Sequence, residues 1–193
     1  MSTSKTFLAS LSRLLLLAAM ASAGTGTCFG ATVPTVPKVG DFAPNFTLKT
    51  LEGRTLELKS LVQERQVVLV VLRGWPGYQC PLCARQVQDY VASAAAFQQR
   101  NASVVMVYPG PAQQLVEHAA KFLEEKSWPR NFALVLDPDY VFTNAYGLRW
   151  DVKKETAYPS TFIIERGGRV HLAHVSRSHG DRLSAARALA ELK

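Results

Sequence analysis

Disulfide scaffolding is beyond this chain, because its 193 residues include only three cysteines. Charge is scarce too: 19% of residues are charged against 48% apolar, which excludes intrinsic disorder. Glycine and proline together number 22 and follow no period, so collagen-like and low-complexity architectures are excluded. No repeat of solenoid length is present. The 22 basic residues outnumber 15 acidic ones but are scattered, as at Arg54, Lys59, Arg73, Arg85, Arg100, Lys121 and Arg149. Scattered bases read as a solvated surface, and without interleaved aromatics they give no footprint for nucleic acid. What remains is one domain of ordinary size with room for a hydrophobic core.

Residues 14–19 form an unbroken apolar run after Lys5 and Arg13 and before an Ala21-Ser22-Ala23 triplet. A positive start, a short apolar stretch and small residues make a secretory-signal pattern, too short for a permanent membrane span. Residues 1–30 are therefore expected to be removed, with the cut between 23/24 and 30/31, leaving a soluble periplasmic or extracellular protein. The earlier cut keeps Cys28 and the later one removes it. A membrane enters only through a lipid on Cys28, and Thr25-Gly26-Thr27 lacks the apolar residue such a site usually carries. Without Lys5 and Arg13 the net charge falls from +7 to +5.

Residues 31–38 (ATVPTVPK) read as an extended linker, because their prolines oppose both helix and ladder pairing. From 39 to 193 the pattern alternates strand and helix. Residues 46–49 and 55–58 predict a hairpin around Glu52-Gly53, and 67–72 (VVLVVL) a strand buried on both faces. A helix is expected from Pro81 to about Arg100, with Val87, Tyr90, Val91, Ala94 and Phe97 on one stripe. Strands at 104–108 and 132–136 enclose a helix at 112–126. Residues 162–165 and 169–175 flank the turn Gly167-Gly168, and a helix at 182–192 capped by Asp181 closes the chain. Phe122, Trp128 and Phe132 read as core or rim. Parallel crossovers followed by an antiparallel hairpin specify an α/β fold of thioredoxin-like arrangement, a central mixed sheet flanked by helices.

Cys80-Pro81-Leu82-Cys83 follows the buried strand and opens the first long helix. A thiol there sits beside unpaired backbone N–H groups and the positive end of the helix dipole, both of which favour thiolate. Pro81 costs little at a first helical position. Zinc would need two further ligands, and no second Cys-x-x-Cys exists. His171 and His174 stand three apart in a predicted strand and so face opposite ways. Position thus favours redox chemistry.

Residues 39–48 (VGDFAPNFTL), then Asp137-Pro138-Asp139, Ala145-Tyr146-Gly147-Leu148 and Ser160-Thr161-Phe162-Ile163-Ile164, resemble in order the blocks of the peroxiredoxin family. That is the alkyl hydroperoxide reductase and thiol-specific antioxidant group of the thioredoxin superfamily. The resemblance covers about residues 38–175. Peroxiredoxins carry Pro-x-x-x-Thr/Ser-x-x-Cys; Pro76 and Cys83 match, Cys80 stands at the Thr/Ser, and Gln86 falls where the family often has Glu or Gln. The family's arginine before the Phe-Ile-Ile strand is missing. Tyr158-Pro159-Ser160 stands there instead, resembling the cis-proline loop of thioredoxins. Arg73 and Arg149 are candidate substitutes, each a surface residue by default.

The resemblance implies an antioxidant thiol oxidoreductase with Cys80 and Cys83 as its centre, no prosthetic group, and an external dithiol reductant. In the peroxidase reading Cys83 attacks the peroxide and Cys80 closes the disulfide. In the disulfide-reductase reading Cys80 attacks a substrate disulfide and Cys83 resolves it. A non-enzymatic alternative is a copper chaperone using both thiolates with His171 or His174. Trp75, Pro76, Tyr78, Pro159 and Ser160 are the expected substrate-contacting residues, although Trp75 and Tyr78 equally suit packing of their own loop.

Overall fold

The computed structural model describes residues 34–124 and 128–193, so the expectations for the first thirty residues and Cys28 lie outside it. Seven strands form one mixed sheet: β1 (Thr47–Thr50), β2 (Thr55–Glu57), β3 (Gln66–Val71), β4 (Ala102–Gly110), β5 (Phe132–Pro138), β6 (Ser160–Ile164) and β7 (Val170–Val175). Their spatial order is β2-β1-β5-β4-β3-β6-β7. The central β5-β4-β3 pairs are parallel, and β1–β2, β1–β5, β3–β6 and β6–β7 are antiparallel.

The run VVLVVL is continuous because both faces of β3 are covered. Val68, Val70 and Leu72 enter one apolar cluster while Val67, Leu69 and Val71 enter the other, all fully buried. Each such side chain contributes roughly 1.5–3 kcal/mol relative to exposure. Helices α2 (Pro81–Ala92), α3 (Ala94–Gln99), α4 (Leu115–Leu123) and α6 (Ala185–Ala190) close the first face. On the second face lie α1 (Leu58–Glu64) and α5 (Val141–Ala145). Phe122 and Phe132 are core residues, and Trp128 packs edge-on against Phe132.

Several boundaries depart from the sequence expectation. Leu58 opens α1 instead of ending a strand, since Leu58 and Val62, four apart, bury together. The helix expected from 81 to 100 breaks at Ser93, whose N–H turns to the Tyr90 carbonyl three residues back. The restart as α3 brings Phe97 into a parallel stack on Tyr90, 5.5 Å away, and edge-on to Phe132. Gln114 is left-handed, so α4 begins at Leu115, not Ala112. The last helix begins at Ala185, capped by Ser184 and not Asp181: Ser184 Oγ accepts the Arg187 N–H at 3.3 Å. Residues 176–183 are thereby left as a connecting segment that returns across the sheet end carrying Cys80.

Two of the ordered blocks have physical jobs at that end. Asp137, fully buried, accepts the Phe142 and Thr143 N–H groups at 2.8 and 3.0 Å and so supplies α5 with its first acceptors. Tyr146 donates its hydroxyl to the Pro44 carbonyl at 2.7 Å, tying the segment before β1 to α5.

Candidate active site

β3 delivers the chain to the site through Leu72, Arg73 and Gly74. Gly74 has φ +66, and a side-chain carbon there would overlap the Pro109 carbonyl at the end of β4. Only glycine permits this approach, which lets the Trp75 N–H reach Pro109 O at 2.9 Å and turns the chain across the strand ends. The loop 75–79 follows. Trp75 stacks on His118 of α4, centroids 3.6 Å apart, and Gln79 bridges the Tyr108 hydroxyl and the His118 carbonyl at 3.0 and 2.8 Å.

Cys80 is the N-cap of α2 and Pro81 occupies its first turn, as the sequence position implied. Both cysteines are free thiols; Cys80 is 3% exposed and Cys83 wholly buried. Their acidities are driven apart. Cys80 is lowered to about 5, chiefly because the Cys83 thiol donates to it; burial opposes this, while the Cys83 backbone, the Arg182 charge and Arg73 reinforce it. Burial, and then its donation to Cys80, push the Cys83 thiol well above the ordinary range. The environment thus favours ionisation of Cys80 before that of Cys83.

Two guanidiniums attend the pair. Arg73 is not a surface residue: its side chain is 4% exposed and gripped by Glu155, with Nε to Oε2 at 2.7 Å and Nη2 to Oε1 at 3.0 Å. It also donates to the Tyr78 hydroxyl and the Lys154 carbonyl, so its donors are engaged and its charge is matched. Glu155 further accepts from His179 at 3.0 Å. Arg182 differs. Its Nη2 lies 3.7 Å from Cys83 Sγ and 4.0 Å from Cys80 Sγ, Nη1 donates to Gln86 Oε1 at 2.8 Å, and Nε to the His179 carbonyl at 2.9 Å. Among the described residues no carboxylate pairs with it.

Arg182 and Glu155 escaped the sequence reading. The sequence pattern places Arg182 in the last helix; with Ser184 as the cap it is instead a cation in a loop. Arg149, the other proposed substitute, lies apart from the sulfurs, donating to the Trp150 and Thr156 carbonyls and lying 4.0 Å over the Tyr140 ring. The bond before Pro159 is trans, contrary to expectation. Here the Pro159 carbonyl is an ordinary acceptor for Ser176 N–H at 2.9 Å, which the antiparallel pairing of β6 with β7 provides. Ser160 is buried at the start of β6, beside Val71, and its hydroxyl turns back to the Tyr158 carbonyl. Trp75 and Pro76 are half-buried, while Tyr78 is exposed beside Arg73. His171 sits between Glu165 and Glu191, and His174 faces Asp181, so neither joins the sulfurs as the copper alternative required.

Residues 39–173 match the AhpC/TSA family. The chain belongs to the AhpC/TSA family. It is 35% identical over 136 residues to the Helicobacter pylori peroxiredoxin-type protein Bcp, covering 68% of this chain and 83% of that one. It is 31% identical over 157 residues to the thiol-disulfide oxidoreductase ResA of Geobacillus thermodenitrificans, covering 81% and 79% of the two chains. Among solved structures, the Mycobacterium tuberculosis peroxidoxin BcpB superposes with a TM-score of 0.63 at 23% identity, over 81% of this chain and 96% of that one. The fold is thioredoxin-like, as expected, and this AhpC/TSA member is a thiol-based oxidoreductase. Within the family pattern it keeps Pro76 and Cys83, places a cysteine where Thr or Ser is usual, and draws its cation at the sulfurs from the segment before α6.

Proposed function

We propose that this protein reduces small peroxides, with Cys80 as the attacking thiolate and Cys83 as the resolving thiol. The carrying observation is the contrast between the two sulfurs: Cys80 caps the helix, keeps a 3% exposure and is favoured to ionise, whereas Cys83 is wholly buried and disfavoured. That reverses the order in which the peroxiredoxin motif alone would use them. The Cys80 thiolate attacks one peroxide oxygen; an S–O bond forms, the O–O bond breaks, and the departing oxygen takes a proton to leave as alcohol or water. Cys83 then attacks the Cys80 sulfenic acid, forming the disulfide, and the hydroxyl leaves as water with the Cys83 proton. An external dithiol restores both thiols and is itself oxidised. Near-complete coverage of the pair suits a substrate of few atoms.

Protein-disulfide reduction is the second reading, favoured by the same readily ionised cap thiol in a Cys-x-x-Cys. The 3% exposure of Cys80 weighs against a polypeptide substrate laid across the site. We also infer an exported protein, from the signal-like residues 1–30; no helix among the described residues is long and apolar enough to cross a membrane.

The test uses pre-reduced wild type, Cys80→Ser and Cys83→Ser with stoichiometric hydrogen peroxide in stopped flow. Cys83→Ser should keep fast first-step oxidation and accumulate a dimedone-reactive sulfenic acid, while Cys80→Ser loses it. Fast oxidation in Cys80→Ser but not in Cys83→Ser would reverse the assignment. Rates equal to a free thiol in all three would remove the peroxidase reading and leave disulfide exchange.

A further inference from the structure

A cation shared between two sulfurs has a consequence for the second half of the cycle. Arg73 also favours the Cys80 thiolate, but Glu155 neutralises it and its hydrogen bonds run to Glu155, Tyr78 and the Lys154 carbonyl, so it is not the unpaired cation at the sulfurs. Arg182 is held from behind by the His179 carbonyl and from the side by Gln86. Its remaining Nη2 is aimed between Cys80 and Cys83, nearer the buried Cys83. A guanidinium with no carboxylate partner among the described residues, on a nearly sealed pair, is stabilised by whichever sulfur carries negative charge.

We propose that Arg182 is a catalytic residue that serves both sulfurs in turn, holding the Cys80 thiolate ready for attack and then stabilising Cys83 as the leaving thiolate when an external thiol opens the disulfide. This rests on the reading of Cys80–Cys83 as a redox pair. In the reductive step a donor thiolate attacks Cys80 Sγ, a mixed disulfide forms, and the Cys80–Cys83 bond breaks with its electron pair going to Cys83. Without a cation that leaving thiolate would form wholly buried, with the Arg73 backbone as its other stabilising contact, where charge is strongly disfavoured. With Nη2 already 3.7 Å away, the charge forms against a preorganised donor that needs no rearrangement. The second thiol of the donor then attacks its own sulfur in the mixed disulfide, releasing the Cys80 thiolate. At that point Arg182 is again within reach of Cys80.

The same guanidinium couples redox state to the segment that bears it. Disulfide formation removes the anion that Nη2 faces while the Gln86 and His179 contacts remain. Its NMR signals should therefore change between the reduced and oxidised protein.

The experiment compares full-length wild type, Arg182→Gln and Arg182→Lys. The Cys80 thiolate is titrated by its absorbance near 240 nm, and the oxidised protein is reduced with dithiothreitol under pseudo-first-order conditions. Arg182→Gln should raise the thiolate midpoint by a full pH unit or more and slow reduction at least tenfold, with Arg182→Lys restoring most of both. A midpoint and a reduction rate unchanged in Arg182→Gln would overturn the proposal. So would Arg182→Lys behaving as poorly as Arg182→Gln, since a purely spatial role would then explain both. Should the glutamine variant not fold, the wild-type Arg182 side-chain nitrogen resonances decide: a shift between reduced and oxidised protein supports the shared cation, and none refutes it. Neither assay contains peroxide, so an inactive peroxidase with an Arg182-dependent titration would remove only the substrate assignment.

Discussion

Replacing Glu155 with glutamine should make the fold weaker and the Cys80 thiol more acidic at the same time. Glu155 and Arg73 form a nearly buried ion pair, with side chains 12% and 4% exposed and two short hydrogen bonds. Removing one partner of a buried pair costs about 3–5 kcal/mol because the other charge is stranded. Glutamine keeps one acceptor, so the lower end, about 3 kcal/mol, is the working figure. For a domain of this size that corresponds to a fall in melting midpoint of about 6–12 °C. The stranded guanidinium remains a neighbour of Cys80, whose ionisation Arg73 already favours. With its neutralising carboxylate gone, Arg73 should draw the thiolate midpoint further down. The loss of stability should also be larger in the disulfide form, where no thiolate offers Arg73 a substitute counter-charge. Thermal melts of both redox forms and a 240 nm titration check this. An unchanged melting midpoint, or a thiolate midpoint that rises, would refute the assignment of Arg73 as a neutralised, positioned cation.

Two further outcomes are expected. The Cys80 thiolate signal should persist as pH falls from 8 to 6 and be lost through about 5, whereas a free thiol, with acidity near 8.5, is mostly protonated by neutral pH. Because folding makes this thiol easier to ionise, the reduced fold gains from ionisation at alkaline pH and loses that gain as pH falls, down through about 5; denaturant titrations at pH 4 and 7 read it out. Gly74→Ala should destabilise by at least ~2 kcal/mol, through left-handed strain and overlap with the Pro109 carbonyl, and should disturb the loop that seats Cys80. A wild-type melting midpoint in that variant would show that the β3–β4 exit is more compliant than its geometry implies.

Local pattern determined a good deal. VVLVVL reads as a twice-covered strand because period and burial coincide there, and the Gly167-Gly168 turn sets the β6–β7 hairpin. The thiol pair was legible too, since a cysteine before Pro81 at the start of an amphipathic helix can hardly avoid the helix N-terminus. What depended on distant neighbours was not. Ser93 breaks a helix whose propensity runs through it, because Phe97 must meet Tyr90 and Phe132. Arg73 stands in the sequence like any surface arginine; only the return of residues 149–155 past the end of β3 buries it against Glu155. Arg182 is 99 residues from Cys83 along the chain, and no periodicity carries information over that span. Its place at the sulfurs follows from where α6 starts, which Ser184 decides, and from the path of residues 176–183 after β7. Sequence alone thus determined the fold class and the two sulfurs, because both are written in contiguous residues. Which sulfur is favoured to ionise, and which cation lies beside it, depends only on tertiary structure, since burial and charge pairing are sums over groups that the chain brings together by folding.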